Sequence, residues 1–402
     1  MKKILIIEDD PLIARVYGSK YAAAGFETSI ATDGEEGLAL LKTFKPDLVH
    51  LDLLVPKVNG LEIVKHIRSQ PELKSLPVVV LSNTYQNHLV KSVMAAGATE
   101  LVSKATCTPK MMLELVEKLR ARMDVAPKPA PPETAITPPS PAPPQAPPGP
   151  ASPPPPREGE KQAAFQAEVR RDFLARAPLI LAALRQNVGS LLEATDEAAK
   201  AAALSALSRA AHSFAGHAGL AGFQELAQLA SALEALLTEL VEKPKEVTDS
   251  SLRTIVDACD FLPDLFERST DETPEATAPV QVLVVDDDAF CRRAVRQALA
   301  RLNAATLSVD DPQVALRLLK ENPFNLIFLD VEMPGMNGFE LCRELRAMPA
   351  NQATPVVFVT TLAGFEHRES AFASGGNDLI AKPFLPMELA VKAFSLLRRK
   401  PS

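Results

Sequence analysis

Residues 50–60 read HLDLLVPKVNG, and residues 328–338 read FLDVEMPGMNG. In both stretches an apolar run ends at an aspartate, and a loop that contains proline and glycine follows. An apolar run bounded by turn residues is typical of a buried β-strand. The two stretches lie 278 positions apart. Their similarity indicates that one module occurs twice in the chain.

A set of polar residues extends this similarity over most of each module. The successive gaps between its members are 43, 30 and 22 residues in both copies. The corresponding pairs are Asp9 and Asp287, Asp52 and Asp330, Ser82 and Thr360, and Lys104 and Lys382. Repeats that keep their reactive residues in register mark duplicated modules.

The sequence around these residues alternates between strand and helix patterns. In the first copy the apolar runs are KILII, LVHL and PVVVL, and helical periodicity lies between them at 34–43 and 60–69. The same order returns in the second copy as VQVLVV, NLIFL and PVVFVT. Apolar runs without polar alternation are buried on both faces. Each copy therefore predicts a doubly wound α/β module with a parallel sheet covered by helices on both sides.

The segments between the copies differ in composition. Residues 127–156 hold 16 of the 35 prolines, which predicts an extended, semi-rigid linker. Residues 158–268 lack strand runs and are rich in Ala, Leu and Glu, which predicts an all-α bundle of the four-helix type. A shorter break, STDETPEATAP, follows. We predict domains at 1–123, 158–268 and 280–400, with linkers at 124–157 and 269–279.

Composition limits the class of protein. A net charge of -7 gives no basic field for nucleic-acid binding. The 4 cysteines lack disulfide or zinc spacing, which fits a reducing cytoplasm. The first residues have no cleavage-site pattern, and no apolar run reaches the length of about 18 residues that a membrane span needs. We expect a cytoplasmic protein without a nucleic-acid partner or membrane insertion.

The repeated polar residues predict a reactive site. Residues at the carboxyl ends of parallel strands converge on one crevice. Carboxylates gathered there repel one another, so a divalent cation that prefers oxygen ligands, Mg²⁺, would stabilise the cluster. A carboxylate can attack a phosphoryl group, while a lysine and a hydroxyl bind the phosphoryl oxygens. The bland alternative is that the acids are helix N-caps and loop charges, which suits Asp10 and Asp288.

The motifs IIEDDP, HLDLLVPKVNG, VVLSN and VSK, with VVDDD, FLDVEMPGMNG, FVTT and AKPF, resemble bacterial response-regulator receiver domains. The resemblance covers about residues 1–123 and 281–398 and implies a flavodoxin-like, five-stranded fold. It implies the following site residues: Asp52 and Asp330 as phosphoryl acceptors, Ser82 and Thr360 as hydroxyl switches, and Lys104 and Lys382 as phosphoryl partners. The implied Mg²⁺ ligands are Glu8, Asp9, Asp52 and the carbonyl of Leu54, and Asp286, Asp287, Asp330 and the carbonyl of Glu332.

Some positions depart from the family pattern. Leu101 and Leu379 replace the aromatic residue that usually lies three residues before the lysine. In the first copy the other departures are Asn83 and Ala105, whereas Lys382 keeps the following Pro383, where the resemblance implies a cis peptide. These differences predict that Asp330 is phosphorylated more readily than Asp52.

The helical segment carries a candidate histidine. His212 lies beside an apolar stripe, and Gly216 follows one helical turn later. A glycine inside a helix costs about 1 kcal/mol relative to alanine, so Gly216 calls for a reason. Its missing side chain would leave room for a partner to approach the imidazole of His212. Imidazole nitrogen can accept and release a phosphoryl group. The runs RAAHSFAGHAGLAGF and LASALEALL resemble histidine phosphotransfer domains, which implies His212 as carrier and Glu234 as the carboxylate that orients it.

Two alternatives concern the bundle and the whole chain. Ala215 replaces the usual lysine of the phosphotransfer family, so His212 is alternatively a surface histidine in a docking bundle. We predict a phosphorelay protein, a phosphoryl carrier rather than an enzyme, with slow autodephosphorylation. Its partners would be a sensor histidine kinase and other receiver or phosphotransfer proteins. The rivals are a non-catalytic scaffold with degenerate receivers and, ranked last, a hydrolase that uses an aspartyl-phosphate.

Overall fold

The computed structural model describes residues 2–82, 87–104, 107–124, 158–271, 280–302, 304–361 and 365–399. Asn83, Ala105 and residues 125–157 of the predicted Pro-rich linker lie outside the described residues. An α/β module, a run of long helices and a second α/β module follow one another along the chain.

Among its described residues, the first α/β module contains five strands and five helices. Its strands are β1 Lys3–Ile7, β2 Glu27–Ala31, β3 Leu48–Asp52, β4 Val78–Ser82 and β5 Glu100–Ser103. Its helices are α1 Pro11–Ala23, α2 Gly34–Thr43, α3 Gly60–Ser69, α4 Asn87–Ala95 and α5 Pro109–Asp124. The sheet order is β2-β1-β3-β4-β5, and β1 pairs in parallel with β2 and β3. Strands β3 and β4 are buried throughout, as expected for apolar runs covered on both faces.

The central segment consists of four long helices and a short 3₁₀ turn at Pro244–Glu246. The helices are α6 Glu158–Glu193, α7 Glu197–Leu220, α8 Gln224–Glu242 and α9 Asp249–Asp271. The short connection between α7 and α8 makes them antiparallel neighbours, and Gly222 within it has a φ of 86°, which favours glycine. Helix α9 extends through Asp271, into the first residues of the segment that composition assigns to the second linker.

The second α/β module repeats the first. Its strands are β6 Gln281–Val285, β7 Ala305–Val309, β8 Leu326–Leu329, β9 Val356–Thr360 and β10 Asp378–Ala381. Its helices are α10 Ala289–Leu299, α11 Pro312–Glu321, α12 Gly338–Arg346, α13 Phe365–Ala373 and α14 Pro386–Arg398. The strand order is β10-β9-β8-β6-β7, which is the order of the first sheet when it is read from β7 to β10. The paired strands are parallel.

The strands of the second sheet contribute to two separate cores. Val282 and Val284 pack on one face, while Leu283 and Val285 pack on the other. Because successive strand residues point to opposite faces, this alternation shows that helices cover both sides of the sheet. The predicted doubly wound architecture, with a helical segment between two such modules, is therefore confirmed.

The two quoted stretches fold in the same way. Asn59 caps α3 by accepting from the Glu62 N–H, and Asn337 caps α12 together with Glu340 in a capping box. A Cβ on Gly338 would lie 2.1 Å from the carbonyl oxygen of Asp330. The loop after the aspartate therefore folds back so closely that only glycine fits at the start of the helix.

Helix α14 packs against α8 and α9 of the helical segment. Ser250, near the start of α9, donates a hydrogen bond to the carboxylate of Glu388 on α14, and both side chains are buried. At the other end of α14, Arg398 Nη1 lies 3.1 Å from Glu225 Oε1, and Arg268 donates to the Arg398 carbonyl over 3.0 Å. Polar contacts at both ends thus fix this helix on the bundle.

Within the described part of the chain, no helix has the length and hydropathy of a membrane span.

Candidate functional site

The second α/β module gathers three carboxylates at the carboxyl ends of β6 and β8. Oxygens of Asp286, Asp287 and Asp330 all lie within 4.8 Å of one another. Asp286 and Asp330 are buried, while Asp287 is exposed. Carboxylate oxygens at this separation repel one another unless a cation lies among them. The donor set of three acids on one open edge fits a hard divalent cation.

Lys382 connects two of these acids. Its Nζ lies 2.7 Å from Asp330 Oδ2 and 2.9 Å from Asp286 Oδ2. Burial alone would lower the pKa of Lys382, but hydrogen bonds to the two carboxylates raise it above its usual value. Burial raises the pKa of Asp330, and the hydrogen bond from Lys382 opposes this shift. The ammonium group of Lys382 is thus fixed beside the buried carboxylate of Asp330.

Backbone geometry places the remaining predicted residues around this pair. Thr360 ends β9, is fully buried and accepts the Lys382 N–H at its carbonyl over 2.8 Å. The Glu332 N–H donates to Asp330 Oδ1 over 3.4 Å, which orients the start of the loop after β8. The peptide bond between Lys382 and Pro383 is cis, as the family resemblance implies. Leu379, at the position of the missing aromatic residue, lies in the apolar core.

Three residues that the sequence did not single out also contact this site. Arg292 Nη1 donates to the carbonyls of Asp286 and Asp287 over 2.7 and 2.9 Å. The Cys291 thiol is buried beside Asp286, and burial together with this acid raises its pKa. The Thr361 hydroxyl donates to the Glu332 carboxylate. Comparison of the two copies could not reveal Arg292 or Cys291, because Ala14 and Ile13 occupy the matching positions of the first copy.

The first module has a similar arrangement of acids. Glu8 and Asp52 are fully buried and Asp9 is exposed. Carboxylate oxygens of Asp9 and Asp52 lie within 4.8 Å of each other. The Leu54 N–H donates to Asp52 Oδ1 over 3.2 Å, as the Glu332 N–H does to Asp330.

Ser82 and Lys104 follow the pattern of Thr360 and Lys382. Both side chains are buried, and the Lys104 N–H donates to the Ser82 carbonyl over 3.0 Å. Leu101, at the position of the missing aromatic residue, lies on β5 and is partly buried. The repeated spacing in the sequence therefore corresponds to the same backbone pairing at the ends of the last two strands.

His50 has a packing environment on the same strand as Asp52. Its Nδ1 lies 2.8 Å from the Tyr21 hydroxyl, and its ring centroid lies 4.5 Å from that of Tyr17. All three rings are buried. His50 is therefore packed among aromatic rings on its strand.

In the helical segment, His212 on α7 meets Glu234 on α8. Nδ1 of His212 lies 2.9 Å from Oε1 of Glu234, and the two side chains are 14% and 5% exposed. A carboxylate at Nδ1 selects the tautomer in which Nε2 carries the reactive lone pair. The pairing of His212 with Glu234 that the family resemblance implies is therefore present.

Neighbouring residues support this pair. Thr238, one turn after Glu234, donates to the Glu234 carbonyl over 2.9 Å and lies 3.1 Å from the Ser208 hydroxyl on α7. Gly216, one turn after His212, is buried. Ala215, at the position of the missing lysine, is fully buried.

Comparison with known proteins agrees with these features. The family model for the response regulator receiver domain matches residues 4–117 and 282–394. The chain belongs to the response regulator receiver family. A second family model, for the Hpt domain, matches residues 168–272. Both family resemblances are thereby confirmed. Receiver and Hpt domains are phosphoryl acceptor and carrier modules of two-component signalling.

Two curated relatives illustrate the similarity. Transcriptional regulatory protein ResD of Bacillus subtilis is 37% identical over 125 residues, which cover 31% of this chain and 51% of ResD. Protein PetR of Rhodobacter capsulatus is 36% identical over 126 residues, which cover 31% of this chain and 52% of PetR. The chain thus spans about half the length of the curated relatives that it matches. Among solved structures, the chemotaxis response regulator CheY4 of Vibrio cholerae is 28% identical, covering 30% of this chain and 99% of CheY4, with a TM-score of 0.29.

Proposed function

We propose that this protein is a phosphorelay component that moves phosphoryl groups between aspartates of its receiver domains and His212 of its Hpt domain. The observation that carries the proposal is the contact of Lys382 with both Asp330 and Asp286, within a cluster of three carboxylates. A fixed cation beside a nucleophilic carboxylate is what phosphoryl transfer requires. The output is protein contact, through changes in receiver surface that depend on the phosphoryl group.

Asp330 is the proposed acceptor in the second receiver. A carboxylate oxygen of Asp330 attacks the phosphorus of a phosphohistidine, and a new O–P bond forms. The N–P bond breaks, and its electron pair returns to the imidazole nitrogen of the donor. Lys382 pairs with a phosphoryl oxygen, and the Thr360 hydroxyl donates to another. Asp52, Lys104 and Ser82 are proposed to act in the same way in the first receiver, where the departures at residues 83 and 105 favour a slower reaction.

A divalent cation, Mg²⁺, is the proposed cofactor of both receivers. Asp286, Asp287, Asp330 and the Glu332 carbonyl would hold it in the second receiver, and the matching ligands in the first are Glu8, Asp9, Asp52 and the Leu54 carbonyl. When bound, such a cation neutralises charge on phosphoryl oxygens. The close approach of the three acids in the second receiver supports this assignment.

His212 is the proposed carrier in the Hpt domain. Glu234 holds the proton on Nδ1, so Nε2 attacks phosphorus as the acyl O–P bond of a phosphoaspartate breaks and the carboxylate leaves. Gly216, without a side chain, leaves room for the approach of a receiver one turn away. The contact of His212 Nδ1 with Glu234 and the 14% exposure of the His212 side chain support a carrier role over the interpretation as a surface histidine.

The chain acts as a carrier, and its only hydrolysis is slow loss of its own aspartyl phosphate. Its donors and acceptors are a sensor histidine kinase and other receiver or Hpt proteins. It works in the cytoplasm without binding nucleic acid, which the net charge of -7 supports. The proposed domains are 1–123, 158–268 and 280–400, and each contains one of the proposed phosphoryl acceptors.

Labelling of the purified full chain with a small phosphodonor and Mg²⁺ tests the receivers. We expect Asp330→Ala to remove most of the label and the double substitution Asp52→Ala with Asp330→Ala to remove all of it. Asp288→Ala is the matched control, because Asp288 is an adjacent acid whose side chain caps α10. Unchanged labelling in the double variant would exclude both receivers as acceptors.

A non-catalytic scaffold is the second candidate, and the absence of lysine at Ala215 favours it for the Hpt domain. Phosphorylated receivers offered to the chain separate the two. Transfer predicts an acid-labile, base-stable adduct that disappears in His212→Gln. A docking bundle would bind the receivers with equal affinity in the wild type and in His212→Gln, and neither would take up label.

A further inference from the structure

A cationic crevice lies where the Hpt domain meets the second receiver. It has a volume of about 250 Å³ and is bordered by α9 on one side and by α13, β10 and α14 on the other. Four cationic side chains line it, against two acids. The residues that carry the argument are Arg253, Asp257, Arg368, Phe372, Lys392 and Arg399.

The two acids of the crevice are already paired. Lys392 is buried and contacts the Asp378 carboxylate, and its Nζ lies 3.6 Å from Asp257 Oδ2. Arg399 reaches across from the receiver and donates to the Asp257 carbonyl over 3.3 Å. These contacts tie the two walls together, so the crevice is a defined feature of the docked domains. Among the described residues, neither acid forms an ion pair with Arg253 or Arg368, and the carboxylate near Arg253, that of Glu388, lies outside the crevice lining.

Two arginines on opposite walls have unused donors. Arg253 Nε, on α9, is buried and finds no acceptor among the residues that the structure describes. Arg368, on α13, is partly buried and makes no ion pair with any described residue. A buried donor on a charged group is costly to leave without an acceptor. A ligand with several anionic oxygens would satisfy both guanidinium groups at once.

We propose that this crevice binds a small phosphorylated metabolite. Guanidinium groups form paired, charge-assisted hydrogen bonds with phosphate oxygens. The oxygens on one phosphorus atom can pair with an arginine on each wall, whereas the two oxygens of a monocarboxylate cannot pair with both guanidinium groups in this way. The volume is below the usual range of about 300–1,000 Å³ for drug-sized ligands, which favours a compact phosphate ester over a dinucleotide. Phe372, 52% exposed, supplies an apolar wall for the organic part of the ester.

Binding at this place has a consequence for the two domains. Arg253 belongs to the Hpt domain, whereas Arg368, Lys392 and Arg399 belong to the second receiver. A ligand that contacts both walls binds only the docked form, so it stabilises that form by mass action. The proposed site would thereby couple a metabolite to the association of the phosphotransfer domain with its receiver.

Calorimetric titration of the full chain tests the proposal, with inorganic phosphate and ribose 5-phosphate as separate probes. A chelator removes divalent cations, so that the acidic clusters of the receivers repel both anions. We expect saturable binding of one equivalent, weakened about tenfold or more by Arg253→Gln and by Arg368→Gln. Tighter binding of ribose 5-phosphate than of phosphate would identify an ester as the ligand class, and equal binding would identify free phosphate.

Matched variants separate the crevice from general charge effects. Arg317→Gln removes the same charge from an exposed position on α11, and binding should be unchanged. Hydrogen exchange of α14 peptides checks that each variant keeps its docked fold, and Arg253→Lys should restore part of the affinity. Absence of saturable binding of either probe to the folded chain, or equal weakening by Arg317→Gln, would overturn the proposal. Asp330→Ala should retain binding, so failure of the phosphorelay would not affect this result.

Discussion

Lys382 Nζ lies 2.7 Å from Oδ2 of Asp330 and 2.9 Å from Oδ2 of Asp286. All three side chains are largely buried. The ammonium group therefore does two things at once. It balances two carboxylates that would otherwise repel each other, and it stands where oxygens of a phosphoryl group on Asp330 would come.

Replacing Lys382 with methionine should destabilise the second receiver by about 3 kcal/mol in the absence of divalent cations, because two buried acids lose their counter-charge. Hydrogen exchange of peptides from β8 and β10 in the full chain would measure this loss. Lys320→Met, which removes an exposed lysine from α11, is the control and should leave exchange unchanged. Equal protection in both variants would mean that Lys382 does not balance the acids.

The Hpt site gives a prediction about rate. Glu234→Ala removes the partner of His212 Nδ1, so the imidazole loses both its orientation and its tautomer preference. We expect transfer from a phosphorylated receiver to slow by about 10 to 100-fold, whereas His212→Gln abolishes it. Rapid-quench measurement of labelled Hpt domain would follow both variants. Glu239→Gln, which removes only the ion pair between Glu239 on α8 and Lys243 just after that helix, should transfer at the wild-type rate.

Much of this architecture was predictable from local sequence. The helices expected at 34–43 and 60–69 lie at Gly34–Thr43 and Gly60–Ser69, because their apolar periodicity and their caps at Asp33 and Asn59 agree. Asp10 and Asp288 cap helices, as the bland interpretation of those two acids predicted. Where local pattern and packing agree, the sequence alone decides the element.

Other features depend on contacts that the local sequence pattern does not show. Arg292 on α10 contacts the carbonyls of Asp286 and Asp287, and Ser250 and Glu388, which are 138 positions apart, fix α14 on the bundle. Neither has a spacing signal, and the repeat gives no help because Arg292 corresponds to Ala14. The partner of His212 was found only through family resemblance, since spacing along two helices does not determine how they align.

Gly338, which ends the loop after β8 and corresponds to Gly60 in the first copy, gives a steric prediction. Gly338→Ala would place a Cβ 2.1 Å from the Asp330 carbonyl oxygen, so the backbone must shift. We expect a loss of stability of about 2 kcal/mol or more, together with slower labelling of Asp330. Gly335→Ala in the same loop is the informative comparison. Its Cβ would meet nothing within 4 Å, but its φ of 85° costs about 1 kcal/mol for an alanine.

Hydrogen exchange and labelling separate these two glycine effects. Gly335→Ala should weaken protection of α12 slightly and leave labelling of Asp330 at the wild-type level. Gly338→Ala should reduce both. If the two variants behaved alike, conformational freedom rather than close approach would explain both glycines.

Glu388 gives a prediction about pH. Burial raises its pKa above the usual value, while Ser250, Lys392 and Arg253 oppose the shift and Asp378 adds to it. A carboxyl with a raised pKa in the folded state binds more protons there than in the unfolded chain. Its contribution to stability is therefore fully present below the unfolded pKa of about 4.3, and it is lost as pH rises through the folded pKa.

Glu388→Gln should remove this dependence, because the amide stays neutral and its oxygen still accepts the hydrogen bond from Ser250. Relative to wild type, the variant should gain stability as pH rises from about 4 toward neutral. Hydrogen exchange of α14, corrected for intrinsic rates at each pH, measures the difference. Glu340→Gln, in an exposed capping box on α12, is the control for loss of a carboxylate. A gap between variant and wild type that stays constant with pH would show that the folded state does not raise the pKa of Glu388.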